Sequence, residues 1–358
     1  MVYYSELKII RNFVCYLFKH KIKKFKAMNR ICISLIAFLL PAFSINAQDV
    51  KKEFFGNWTL EIEDGSVGWL NVNDSKGFID AEMLWQGGGI FPVSDIYYLN
   101  DRTLVVTRAS NMRRNDDLRR ISTQTFTFEI NGNNLTGKLT APARNGVGLT
   151  EIKYKGWRLA DPGPAPDLSK VKYGSPIQLF NGKDLTGWRL TNPNQTNGFK
   201  VVNGELVTDP VRVEGQRISY GNIRTDREFD DFKLTLEVNV PEGSNSGVYL
   251  RGMYEVQVED SYGQELGNLH MGALYSRITP SVSAEKKPGE WQTLEITLCE
   301  RHVTIVLNGV KIIDNKPIYG PTGGAIQADV NKSGPIYLQG DHGTVTYRNI
   351  VLTPIQKN

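Results

Sequence analysis

At 358 residues, 22% charged and 10% aromatic, the chain is long enough for two domains, and 34 glycines with 16 prolines favour a turn-rich β protein. Residues 1–47 hold eight of the 42 basic and one of the 38 acidic residues, so the formal +4 becomes 34 against 37, about −3, without them. That balance excludes a phosphate-backbone binder, and no nucleic-acid partner is expected.

Met28-Asn29-Arg30 gives a short basic start, residues 31–43 are apolar, and Ile45-Asn46-Ala47 ends in a small residue before Gln48. This is the pattern of a secretory signal peptide, too short to span a bilayer. The Lys-rich stretch before Met28 is foreign to such a leader, so the true start is placed at Met28. Cys32 opens the apolar run without a lipobox, so no stable membrane anchor is expected once the leader is cleaved near Ala47. The mature protein is expected to be periplasmic or secreted. Cys15 and Cys32 leave with the leader. Cys299 then has no intramolecular disulfide partner, and it reads as a buried structural thiol in the alternating run 294–305.

From residue 48 to 160 the chain breaks into short alternating runs at 58–63, 69–72, 78–85, 104–108, 123–130 and 135–140. Asp64-Gly65, Asn73-Asp74, Asn100-Asp101 and Asn131-Gly132 are turn signals between them. This spacing predicts a smaller N-terminal β-barrel or sandwich. Trp58 is expected in its core. Trp85-Gln86-Gly87-Gly88-Gly89 and the basic run Arg113, Arg114, Arg119 and Arg120 could extend a sugar groove, but solvated surface loops are the simpler reading. Three prolines between Asp161 and Asp167 mark a linker, 161–174, and the halves on either side are expected to fold independently.

Residues 175–358 carry strands at 232–240, 247–251, 254–259, 291–299, 302–307, 335–339 and 345–352, with Asn308-Gly309 as a hairpin turn. Antiparallel strands without a long helical period predict a two-sheet jelly roll, and the whole mature chain reads as all-β. Strand periodicity puts Glu255, Gln257 and Glu259 on one face and Tyr254, Val256 and Val258 on the other. Asn245-Ser246-Gly247 and Arg251 place further polar groups nearby, so the wet face reads as the floor of a groove. His302 sits in a strand beside a turn and is expected at the surface. His270 and His342 lie in glycine-bearing loops, where a rigid sheet can present them for chemistry.

Leu179-Phe180-Asn181-Gly182-Lys183-Asp184-Leu185-Thr186-Gly187-Trp188 is followed by Asn203-Gly204-Glu205-Leu206 and Asn245-Ser246-Gly247-Val248-Tyr249-Leu250-Arg251. Tyr254-Glu255-Val256-Gln257-Val258 comes next, then Gly272-Ala273-Leu274-Tyr275 and Pro288-Gly289-Glu290-Trp291-Gln292. The run from Gln339 to Gly343 and Tyr347-Arg348-Asn349-Ile350 close the series. In this order and spacing the stretch resembles the 3-keto-disaccharide hydrolase family of concanavalin A-like jelly rolls. The resemblance implies an oxidised disaccharide or glycoside as substrate, cleaved because a ketone at C3 acidifies the C2 proton. Removing that proton expels the C1 oxygen, and adding water completes net hydrolysis.

Such a site needs a base, something positive at the enolate oxygen, for which Arg251 or a divalent cation could serve, and an acid for the leaving group. Glu255, His342, Arg251 and His270 are the candidate catalytic residues. Gln257, Glu259, Asp260, Gln339, Asp341 and Tyr275 are the candidate substrate contacts. No cofactor is required by the sequence, although a divalent cation would find oxygen and imidazole ligands in Glu255, Asp341 and His342. Two alternatives stay open. Glu255 and Glu259 could be the pair of a retaining β-glucanase-like glycosidase, or the domain could be a non-catalytic carbohydrate-binding module.

Overall fold

Apolar alternation from Gly56 onward becomes nine antiparallel strands in the computed structural model, which describes residues 52–114, 118–143, 145–211 and 218–356. The expected leader at residues 1–47, with Cys15 and Cys32, lies outside the described residues. No helix among the described residues is long and apolar enough to cross a membrane.

The first sheet runs up and down, with Gly56–Ile62 paired to Val67–Ser75 on one side and to the last strand, Leu149–Arg158, on the other. Its edge strands, Phe91–Pro92 and Asp95–Asn100, are consecutive in the chain. Between them, Val93 N–H donates to Ala81 O and Ser94 N–H to Thr107 O, so the sheet curls back on itself. Inward residues such as Trp58, Leu60, Met83, Phe126, Phe128 and Tyr154 fill the interior. Trp58 is thus a core residue, as its position predicts. The basic run is no loop: Thr103–Arg114 and Leu118–Asn131 are one long hairpin, with Arg113 opposite Arg119.

Two further sheets form the jelly roll. The larger orders Phe199–Val202, Glu205–Thr208, Val345–Gln356, Phe232–Asn239, Trp291–Cys299, His302–Leu307 and Val310–Pro317, with Lys172–Tyr173 and Ile177–Gln178 also on Val345–Gln356. The smaller orders Trp188–Leu190, Ile223–Thr225, Tyr337–Leu338, Asn245–Leu250 and Tyr254–Glu259. Their facing side chains, among them Leu234, Ile296, Tyr254, Val256, Val258 and Leu338, make one core.

His302 departs from expectation. It is 2% exposed, with Nδ1 2.9 Å from Glu300 O. The turn before it, Glu300-Arg301, has both residues at positive φ, and Arg301 donates to Ala160 O and Ile318 O. The segment following the first sheet therefore lies against the start of this strand. Cys299 is buried as expected, and burial pushes its thiol up to about 11.

The first sheet also buries part of its outer face. Trp69, Leu84 and Leu159 belong to the jelly-roll core cluster, and Val67 clusters with Ala325 and Ala328. Thr59 Oγ1 donates to Ala328 O, and Trp69 Nε1 donates to Tyr319 O. Residues 50–358 form one compact unit. Trp69→Ala is expected to cost about 3–5 kcal/mol in chemical denaturation, the usual loss for a buried tryptophan. The same melt followed by first-sheet and jelly-roll probes should show one transition. Two well-separated transitions would mean that the sheets unfold independently.

Candidate active site

The smaller jelly-roll sheet carries two cross-strand rows on the face away from the core. Register places Tyr337 beside Tyr249 and Tyr249 beside Glu255. In the next row, Gln339 N–H donates to Gly247 O, and Gly247 pairs with Gln257. The two tyrosine rings stack at 3.8 Å between centroids. Gly247 sits in the middle, and a Cβ there would overlap Oε1 of Glu255. Only glycine leaves room for the carboxyl.

Tyr254–Glu259 is the edge strand, and residues 272–275 cap it: Gly272 N–H donates to Gln257 O and Tyr275 N–H donates to Glu255 O. This cap brings Tyr275 to the site and closes an otherwise open edge. Above Tyr249 runs the segment 322–324. Thr322 Oγ1 accepts from Glu255 N–H, and the hydroxyls of Tyr249 and Tyr337 reach Gly323 O and Gly324 O. On the far side, Asn222 Oδ1 accepts from Gly340 N–H, which anchors the loop bearing Asp341 and His342.

These elements enclose a pocket of about 290 Å³ lined by Glu255, Gln257, Tyr275, Gln339, Asp341 and His342. Six of the ten sequence candidates therefore converge. Asn222, Asn245, Tyr249 and Tyr337 also line it, with Gly87-Gly88 and Gly323-Gly324. Sequence reasoning had set Asn245 beside the groove but gave Asn222 and Tyr337 no place in it, and Tyr249 no catalytic role. The signal for Tyr249 was present, since a hairpin turn at 251–253 makes 249 and 255 cross-strand partners. Glycines 87 and 88 belong to the stretch read as solvent-facing, and only the packing of the first sheet brings them here.

The other four candidates go elsewhere. Arg251 is in the hairpin turn at positive φ, buried, with Nε 3.0 Å from Lys332 O and an ion pair at 3.5 Å to Asp230. It ties the turn to residues 330–332 and is not among the residues that line the pocket. His270 Nδ1 lies 2.8 Å from Glu265 O, in a separate small cavity with Ser261 and Glu285. Asp260 accepts from Gly243 N–H and so holds a turn. Glu259 lies past the pocket, where Gln257 Nε2 reaches its Oε2 at 3.4 Å. The extended strand carries Glu255 and Glu259 apart, so they do not converge as a glycosidase pair. The polar face is also drier than alternation implies, with Glu255 and Gln257 buried.

Electrostatics single out Glu255. Burial pushes its carboxyl up to about 8, against the Tyr249 hydrogen bond and the His342 charge, which pull it down. Tyr249 has one proton and two acceptors, Glu255 Oε2 and Gly323 O, both at 2.8 Å. A protonated Glu255 resolves this by donating to the tyrosine oxygen, which donates onward to Gly323 O. His342 Nδ1 lies 2.7 Å from Asp341 Oδ1, with both side chains about half exposed. Oε1 of Gln257 and Oε1 of Gln339 are buried with no hydrogen-bond partner among the described residues. Buried acceptors of this kind are costly unless a ligand's hydroxyls reach them.

Glu255, Asp341 and His342 do not fit a divalent cation. The Glu255 carboxyl is hydrogen-bonded to Tyr249, Asp341 and His342 pair with each other, and no group of three or more His, Cys, Asp or Glu among the described residues is placed to hold a metal ion. A larger cavity of about 480 Å³ lies between the first sheet and the jelly roll, but its Arg277 is spent on Pro321 O and on the Trp69 ring 4.4 Å away. Convergent titratable groups are in the smaller pocket.

A jelly roll with a small polar pocket, orphaned amide acceptors and a buried carboxyl is the build of a carbohydrate-active enzyme or binder. Residues 175–353, half of the chain, match the 3-keto-alpha-glucoside-1,2-lyase-like domain, and the chain belongs to that family. Among solved structures, one candidate glycosyl hydrolase from Parabacteroides distasonis is 29% identical, covering 53% of this chain and 92% of its own, with a TM-score of 0.41. A second from that organism is 20% identical over 51% and 94%, with a TM-score of 0.40. Beta-agarase B from Zobellia galactanivorans is 13% identical over 56% and 99%, with a TM-score of 0.37. No curated protein matches the chain.

The raised Glu255 value has a stability consequence. The folded state holds this proton from the ordinary carboxylate value up to about 8, so protonation stabilises the fold at low pH and that contribution is lost as pH rises through about 8. Thermal midpoints of Glu255→Gln should fall less steeply with pH than those of the unmodified protein, and the variant should be the more stable above that value. Parallel pH profiles would show that Glu255 is ionised throughout.

Proposed function

We propose that this chain cleaves the glycosidic bond of 3-keto-glycosides by C2 proton abstraction and β-elimination, with His342 as base and Glu255 as acid. The carrying observation is a buried carboxyl under a tyrosine hydroxyl, pushed up to about 8 by that burial, in the same pocket as an imidazole paired with a carboxylate. Two groups pushed to opposite roles by their surroundings divide acid and base work.

Asp341 lies at Nδ1 of His342, and in this reading the imidazole takes the C2 proton through Nε2. The C2–H electrons pass toward the C3 ketone as an enolate. Neutral donors lining the pocket, the amides of Gln257, Gln339, Asn222 and Asn245 and the Tyr275 hydroxyl, are available to that oxygen. When the enolate collapses, C3=O re-forms, a C1=C2 double bond forms and the C1–O bond breaks. The departing oxygen takes the Glu255 proton. The product is a 2-hydroxy-3-keto-glycal, and water added across C1=C2 gives net hydrolysis. Tyr249 then holds the Glu255 carboxylate until a proton returns.

A purely binding module would have no use for a carboxyl at this cost. From the sequence pattern of residues 28–47 we further propose that the activity is exercised in the periplasm or outside the cell. With a 3-keto-disaccharide, kcat/KM should decline above about pH 8, as Glu255 loses its proton. Glu255→Gln and His342→Ala should each lower turnover by about 10²-fold or more, and Glu255→Gln should remove the alkaline limb. A rate that climbs through that pH would make Glu255 the base. Equal turnover of the unoxidised disaccharide would reject dependence on the ketone.

A further inference from the structure

The family match begins at residue 175, yet one wall of the pocket comes from well before it. Residues 86–88 leave the strand Phe78–Trp85 of the first sheet and cross to the jelly roll. Gly324 N–H donates to Gln86 O at 3.0 Å. A Cβ on Gly323 would collide with the backbone of Gly88, so the two chains meet there at their closest approach. Ile90 N–H donates to Ser276 Oγ just beyond, next to Tyr275 of the site. The loop is therefore fixed at both ends by the jelly roll.

We infer that the first sheet supplies the specificity wall of this site, with Gly87 and Gly88 limiting the group attached to the bound sugar. The inference rests on the proposed function for the identity of the substrate. An open groove on one sheet would let a polysaccharide run through. A loop anchored on Gly324 and pressed against Gly323 crosses it instead and leaves about 290 Å³, near the lower end for small-ligand sites. Glycosides with a short aglycone fit this space, and internal units of a long chain do not. Glycine at 87 keeps the mouth wide enough for that aglycone.

Gly87 allows a direct test. Its φ lies outside the left-handed region, and nothing lies within 4 Å of a Cβ built on it, so a side chain is tolerated without strain. Gly87→Trp should lower kcat/KM for a 3-keto-disaccharide by about tenfold or more relative to methyl 3-keto-glucoside. Val147→Trp, in an exposed turn of the same sheet, should leave that ratio unchanged. The introduced indole should also change its emission saturably when unoxidised disaccharide is titrated, after subtraction of the unmodified protein. Should Gly87→Trp fail to fold, Gly87→Leu carries the kinetic comparison. An unchanged substrate ratio with silent emission would overturn the wall. Absence of turnover on every 3-keto substrate would instead sink the proposed reaction, and the emission titration would still decide whether the loop faces bound sugar.

Discussion

The Glu255 carboxyl, held out of water beneath a single tyrosine hydroxyl, is the constraint on which the rest of the site depends. Its burial requires an empty position beside it, and Gly247 provides one. It requires an internal proton partner, and Tyr249, stacked on Tyr337 and bonded to Gly323 O, provides that. The segment 322–324 must then run close over both tyrosines, and that segment is also where the first sheet docks. One buried ionisable group thus links strand register, loop placement and the junction with the first sheet.

The same chain of contacts divides labour between rigid and wet parts. Glu255, Gln257, Tyr249 and Tyr337 stand on paired strands and are buried, so their positions vary little. Asp341 and His342 lie on a half-exposed loop, where an imidazole can exchange its proton with solvent. In the proposed reaction these surroundings suit a dry acid and a base that recycles its proton. The orphaned amide oxygens of Gln257 and Gln339 flank the Gly247 gap, so the floor is polar where a sugar ring would lie and apolar only underneath.

Strand periodicity made much of this legible in the sequence. The alternation at 254–259 put Glu255 and Gln257 on the site face, and Tyr254–Glu259, Trp291–Cys299 and His302–Leu307 have the ends that pattern and turn signals predict. Glycine-bearing motifs brought in His342, Asp341 and Gln339. Period two says nothing of where a face leads, however, so Glu259 was carried along with Glu255 although it lies past the pocket. Arg251 and His270 look like chemistry by residue type, but Arg251 is spent on a carbonyl 81 residues away, which no local pattern encodes, and His270 on the carbonyl of Glu265 in its own loop. His302 was misplaced for a related reason, because the segment that helps cover it lies about 140 residues earlier in the chain. The contribution of residues 86–88 is likewise a matter of docking and not of local composition.

In the proposed reaction the proton at C2 leaves before the glycosidic bond is broken. A 3-keto-disaccharide carrying deuterium at C2 of the oxidised sugar, incubated with the protein and followed by NMR against an enzyme-free blank, tests it directly. The account predicts loss of that deuterium in step with cleavage, and a hydrated product whose C2 hydrogen comes from solvent. Cleavage with the C2 deuterium fully retained would contradict it.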